Sequence, residues 1–187
     1  MSASLEQLTV EFTQLIGPEA FAPREIPMEP PANPPVAEGD TAAAAPEPAA
    51  PDPPPPSPVQ NVDFLKKGYN FDATVASTLV VEAAQILDRA GYAIDAITGV
   101  DWIAEEQMEI VYDFFHPVEP LRVVVRTRVP RANPELPTIS EVFPGANWHE
   151  RETHDFFGIR FLGHPNPTPI LLPEDADFHP LRKDYLP

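Results

Sequence analysis

The chain has no cysteine. That absence excludes thiolate zinc sites, cysteine-ligated iron–sulfur clusters, cysteine nucleophiles and redox disulfides together. Bases are scarce as well: 12 Lys and Arg stand against 29 Asp and Glu, a formal net charge of −17. Nucleic-acid binding and direct docking on anionic lipid both need a basic footprint that the chain as a whole lacks. Charge of this size serves solubility. No apolar run reaches the ~18–20 residues of a membrane-spanning helix. The N-terminus has no basic stretch followed by an apolar one, so no secretory leader is expected. These absences predict a cytoplasmic protein that reaches a membrane only through partners.

Proline is abundant instead. Of its 27 residues, fifteen fall between Pro18 and Pro58. Pro30-Pro31, Pro34-Pro35, Ala42 to Ala45 and Pro53 to Pro56 mark a Pro/Ala-rich acidic linker over residues 18–60. Few of its side chains could bury apolar area, so ordering would go uncompensated and disorder is expected. Before it, Leu5, Leu8, Phe12, Leu15 and Ile16 recur at helical spacing until Gly17-Pro18. This predicts a short amphipathic helix within residues 1–17, which packs on its own domain, docks in a partner's groove or stays disordered.

The remainder, about 125 residues, suits one domain. Asp72 is a candidate N-cap for a helix whose stripe runs Val75, Leu79, Ala83, Ile86, Leu87 and ends at Gly91. Tyr92 to Thr98 alternates like a strand, with Gly99-Val100-Asp101 turning out of it. Glu109 to Phe115 and Leu121 to Val129 predict a hairpin with one solvated face, and Pro130 to Pro137 a loop. Thr138 to Phe143 and Ala146 to Phe157 read as helices broken at Pro144-Gly145. After Gly158 there is one short apolar stretch and then Pro-punctuated chain. The expected class is α+β: a small mixed or antiparallel sheet with packing helices over residues 61–157, and an extended C-terminal arm over 158–187.

The charged residues around Gly158 invite a search for chemistry. His149-Glu150-Arg151-Glu152-Thr153-His154 resembles a zinc-protease helix, but its two His lie at i and i+5, about 140° apart on an ideal helix, rather than on one face. Glu150, Glu152 and Asp155 could form acid–base pairs, yet no nucleophile elbow, phosphate loop or dinucleotide fingerprint accompanies them. Structural ion pairs with Arg151 and Arg160 are the expected role. His164-Pro165 and His179-Pro180 are expected to fix chain direction and cap backbone carbonyls. Arg182-Lys183-Asp184-Tyr185 places two bases where a carboxylate-rich partner surface could be met. No catalytic, cofactor-binding or metal-binding residue is expected.

These residues form an ordered motif. Glu150-Arg151-Glu152, Asp155, Gly158-Ile159, Phe161, Gly163-His164-Pro165, Ile170-Leu171-Leu172-Pro173, Asp175 and His179-Pro180-Leu181-Arg182-Lys183-Asp184-Tyr185 closely resemble the 30 kDa subunit family of respiratory-chain NADH dehydrogenase (complex I). Upstream, Gly99-Val100-Asp101, Val111-Tyr112 and Pro137-Thr138-Ile139 through Trp148 extend the likeness, which spans about Tyr92 to Tyr185. The resemblance implies an accessory subunit of the hydrophilic arm without a redox centre or cofactor, the FMN and iron–sulfur clusters being carried by other subunits. It implies a 49 kDa-type subunit and the cluster N2-bearing subunit as partners. It also implies a peripheral position on the cytoplasmic side of the inner membrane, and Glu152, Asp155, Gly158, His164, Pro165, His179, Pro180, Arg182, Lys183, Asp184 and Tyr185 as interface residues. Departures occur at His154, where Tyr is usual, at Asn166 to Pro169, which replaces a stretch with two Arg, and at Ala176-Asp177-Phe178. Alternatives are the equivalent subunit of an energy-converting [NiFe] hydrogenase or a formate- or ferredoxin-fed complex, a free adaptor acting through the N-terminal helix and linker, and a stand-alone metalloenzyme using His149, His154, His164 and His179.

Overall fold

The computed structural model describes residues 5–17 and 57–186. The linker expected over 18–60 lies outside the described residues up to residue 56. Seven strands and four helices follow in the order α1 (Leu5–Ile16), β1 (Val59–Asn61), α2 (Phe64–Lys67), β2 (Phe71–Thr74), α3 (Val80–Arg89), β3 (Ala93–Trp102), β4 (Gln107–Phe115), β5 (Arg122–Pro130), β6 (Glu135–Pro137), α4 (Ala146–Phe157) and β7 (Arg160–Leu162). The main sheet has the order β1-β2-β5-β4-β3, with β2 and β5 parallel and the other pairs antiparallel. Strands β6 and β7 form a separate parallel pair. Among the described residues no helix is long and apolar enough to cross a membrane.

The pleat decides which side is core. In register, Ile97, Tyr112 and Val125 lie in one row, and Met108 and Val129 in another. With Phe71, Ala73, Ile110, Phe114 and Val123 they make one buried face. Helices α1, α3 and α4 cover that face. The opposite face carries Arg122, Arg126 and Arg128, each held by carboxylates: Asp95 and Asp113, Asp72, and Glu105 and Glu109 respectively. One apolar and one solvated side is the alternation expected of a mainly antiparallel sheet.

Helix α1 packs on its own chain. Leu8 and Phe12 are fully buried, and the Phe12 ring meets Phe71 edge-on at 5.3 Å. Helix α1 and the domain expected from residue 61 therefore share one core, and the sheet begins two residues earlier, at Val59.

Several local expectations are corrected. Asp72 caps no helix; it stands in β2, paired with Arg126 and accepting the Tyr69 hydroxyl at 2.8 Å. The helix after it starts at Val80, because Val75 N–H still donates to Arg126 O and prolongs the ladder. Gly99-Val100-Asp101 does not turn out of β3, which runs on to Trp102. Gly99 is required there by space: a Cβ would lie 2.6 Å from the Phe157 ring. The loop expected over Pro130 to Pro137 contains β6. Thr138 to Phe143 forms turns rather than a helix. Finally, the boundary at 157/158 cuts through a packed unit, since Ile159 and Phe161 belong to the core and β7 pairs with β6.

Candidate functional site

Helix α4 buries two sides. Ala146, Glu150, Thr153 and Phe157 recur at helical spacing toward the interior, where the Thr153 hydroxyl donates to Ile97 O on edge strand β3. Asp155 is buried on another side, facing the residues that follow Gly158. Those residues do not leave the domain. They stay against α4, and each stretch is held by a group from the helix.

The first anchor is His164, whose Nε2 lies 3.2 Å from Asn147 O in the first turn of α4. Next, Arg151 donates to Thr168 O at 2.7 Å and to Pro169 O at 3.3 Å while lying over the Trp148 ring. One oxygen of Asp155 then accepts three successive backbone N–H groups, from Ile170, Leu171 and Leu172, at 2.9, 2.7 and 3.2 Å. A carboxylate that serves three amides fixes a tight bend.

At the far end the tail caps the helix. The last four carbonyls of an α-helix have no partner within it. Here His154 O receives Gly158 N–H at 2.8 Å, Asp155 O receives His179 Nδ1–H at 2.9 Å, Phe156 O receives Leu181 N–H at 3.1 Å and Phe157 O receives Arg182 Nε–H at 2.7 Å. All four are satisfied, three of them by the tail. The Arg182 charge also sits where the helix dipole favours a cation. Gly158 makes the closure possible: its φ is +72°, and a Cβ would lie 2.5 Å from His179 and 2.7 Å from Arg182. Burial lowers the His179 pKa, with the hydrogen bond to Asp155 O opposing the effect and the Arg182 charge adding to it.

Beyond Arg182 the chain is clamped to the sheet. The Asp101 side chain is buried and accepts Arg131 at 2.7 Å and 3.0 Å and Lys183 N–H at 2.8 Å. Arg131 also reaches Asp184 at 2.5 Å. Hydrogen bonding from Arg131 holds both carboxyls below their ordinary pKa, and the pair of acids raises that of Arg131. Tyr185 stacks on Phe178 at 5.7 Å.

Glu150 is the second buried acid of the motif, beside Asp155. It accepts Ile139 N–H at 2.8 Å and the Thr138 hydroxyl at 2.5 Å, tying α4 to the turn after β6. Burial raises its pKa to about 7, with the two hydrogen bonds opposing the rise. Glu150 and Asp155 thus serve backbone amides, where ion pairs with Arg151 or Arg160 were expected; Arg160 pairs with Glu135 and Asn133. Glu152 and Pro165 are exposed, as are Leu171, Phe178, Leu181 and Leu186 along the tail. Of the four histidines His149, His154, His164 and His179, His154 and His179 meet edge-on at 6.3 Å between ring centres, but among the described residues no three His, Asp or Glu side chains converge as a metal would require. A cavity of about 280 Å³ between α4 and β7 is lined by Glu150, Arg151, His154, Arg160, Phe161 and His164. Sequence reasoning missed Arg131 and named Asp101 only within the Gly99-Val100-Asp101 likeness; their clamp on the tail lies far from the motif in the chain and left no local signal.

The fold and the pinned tail define a class: a one-sheet α+β domain that displays an ordered, Pro-rich C-terminal segment along its last helix. The profile of the family described as respiratory-chain NADH dehydrogenase, 30 Kd subunit, matches residues 73–187, and the chain belongs to that family. It is similar to the C subunit of the NADH-quinone oxidoreductase of Roseiflexus castenholzii, at 45% identity over 92 residues covering 49% of this chain and 53% of that one. It is also similar to the C subunit of the F(420)H(2) dehydrogenase of Methanosarcina mazei, at 38% identity over 91 residues covering 48% and 58%. The chain thus spans about half the length of the curated relatives it matches. Among solved structures, a chain of the membrane-bound sulfane sulfur reductase, an archaeal respiratory membrane complex, superposes with a TM-score of 0.60 at 25% identity, over 68% of this chain and 77% of that one.

Proposed function

We propose that this chain is an accessory structural subunit in the hydrophilic arm of a complex I-like NADH:quinone oxidoreductase. It carries no redox centre and catalyses nothing itself. It holds cluster-bearing and quinone-site subunits in register, with a 49 kDa-type subunit and the cluster N2-bearing subunit as its neighbours, on the cytoplasmic side of the membrane. FMN and iron–sulfur clusters belong to the other subunits. The similarity to chains named as C subunits of NADH-quinone oxidoreductase supports the reading.

One observation carries it furthest. The tail's backbone is fixed by His164, Asp155, His179, Arg182 and Lys183, while its apolar side chains Leu171 and Leu181 stay 54% and 51% exposed. Rigid backbone under outward apolar side chains is what a docking surface needs, since little ordering entropy remains to be lost on binding. Glu152, Pro165, Pro180 and Tyr185 flank that surface, and Gly158 and Asp184 belong to the frame beneath it. The double substitution Leu171→Glu, Leu181→Glu is expected to leave thermal unfolding unchanged and to cut co-purification of partner subunits at least tenfold. Normal assembly of this variant would sink the proposal.

A second reading is the equivalent subunit of a complex fed by another donor. The similarity to a chain of the F(420)H(2) dehydrogenase and to one of the sulfane sulfur reductase supports it. Donor and acceptor assays on the purified assembly separate the two.

A further inference from the structure

The tail runs along α4 and finishes at the end of the sheet that carries Asp101 and Arg131. At the other end, β1 and β2 are joined by α2, a single helical turn built from Phe64-Leu65-Lys66-Lys67. The turn is firmly closed. Asp63 accepts Leu65 N–H on its side chain at 3.0 Å, Gly68 N–H donates to Phe64 O at 2.8 Å, and Val62 N–H donates to Asn70 O at 2.9 Å. Asn70 in turn exchanges two hydrogen bonds with Arg122 at the start of β5.

What this closed turn displays is unusual for the molecule. Leu65 is 92% exposed and Phe64 44% exposed. Lys66 and Lys67 are two of only three lysines in a chain of net charge −17. Six arginines, Arg89, Arg122, Arg126, Arg128, Arg131 and Arg160, each pair with a carboxylate, and Arg151 and Arg182 spend their donors on backbone carbonyls of the tail and α4. Among the described residues neither Lys66 nor Lys67 has such a partner. An exposed Leu held on a rigid turn beside two uncompensated cations is complementary to an apolar hollow rimmed by carboxylates.

We infer that the α2 turn is a second docking point, separate from the tail, and that its occupant is an acid-rimmed apolar hollow on a neighbouring protein subunit. The inference rests on the reading of this chain as a subunit of a larger assembly. Strand β5 separates the turn from the Arg131–Asp184 clamp by about 30 Å. A lipid surface is the poorer fit. One projecting Leu and two Lys give only marginal membrane affinity, and the acidic remainder of the chain opposes it over the whole plane of contact.

The test uses the full chain, tagged and assembled in cells, with a photo-crosslinking amino acid in place of Leu65. The expected product joins residue 65 to another subunit of the complex within a segment bearing two or more Asp or Glu. The triple variant Leu65→Ser, Lys66→Glu, Lys67→Glu is expected to keep the wild-type melting temperature and to lower recovery of that subunit at least tenfold. The charge-preserving pair Lys66→Arg, Lys67→Arg, with Leu65 retained, should recover it normally. Unchanged recovery with the triple variant, while Leu171→Glu, Leu181→Glu still blocks assembly, would overturn the α2 proposal and leave the subunit reading standing. A crosslink to a second copy of this chain, or to its own residues 18–56, overturns it too. So does sedimentation of the wild type, but not the triple variant, with phosphatidylglycerol vesicles. If the wild type recovers no oxidoreductase subunit, the subunit reading fails and takes this one with it.

Discussion

Three residues set the course of the tail and of the helix beneath it through different physics. Gly158 does it by being empty. Gly158→Ala would put a side chain at a positive φ, costing about 1–2 kcal/mol for the backbone alone, and would push His179 and Arg182 off the end of α4. The expected result is a lower melting temperature and protease cleavage within residues 170–186. Asp101 acts by charge. Because Arg131 depresses its pKa below the ordinary 3.8, its contribution to stability is present above that pH and disappears as pH falls through the depressed value. Asp101→Asn should free the last residues of the tail at neutral pH, read as faster amide exchange at Lys183. Glu150 has the opposite sign. Its pKa is raised from 4.5 to about 7, so the folded chain holds a proton that the unfolded chain has released, and stability declines as pH rises across that window. Melting curves over a pH series should show the decline in the wild type and its absence in Glu150→Gln.

At the scale of elements, legibility followed the range of the interactions. Helix α4 was readable to the residue from its own apolar spacing and from the Pro144-Gly145 break before it. The β4–β5 hairpin was readable from alternation. The failures lie where a distant group overrides local preference. Thr138 to Phe143 was expected as a helix, but its Thr, Ile, Ser, Val and Phe are weak helix formers, and Glu150 takes the Ile139 amide and the Thr138 hydroxyl and holds the segment as a turn. Asp72 has the chemistry of a cap and is recruited by Arg126 instead. Gly99 marks close packing under Phe157, which a single sequence cannot distinguish from a turn. The motif around Gly158 was legible as a unit; that its acids hold amides inside the chain was not. Helix α1 offers a test at this scale. Phe12→Ala should cost about 3–5 kcal/mol in denaturant unfolding, as for a core phenylalanine. A helix resting loosely on the surface would lose far less.

For the whole molecule, charge and topology are arranged separately. The sheet's outer face balances its arginines against acids, so the net −17 is spread over the rest of the surface and over the acidic segment before β1. Self-repulsion of that size weakens the compact state. Raising ionic strength from about 10 mM to 150 mM, where the Debye length shrinks from about 30 Å to 8 Å, should raise the melting temperature. The clamp made by Asp101, Arg131 and Asp184 would lose a little at the same time.

The seating of Phe12 on Phe71, together with the parallel pairing of β2 with β5, bears on how the chain is made. Helix α1 is synthesised before the sheet, and the surface that receives it is complete only after β5 has been synthesised and has captured β2. Until then its apolar stripe has nothing to cover it. Folding of this chain therefore has to close long loops before its first element finds a place, and topologies of that kind fold slowly for their size. The apolar stripe of α1, Leu8 and Phe12 above all, therefore has to wait for a strand made more than a hundred residues later.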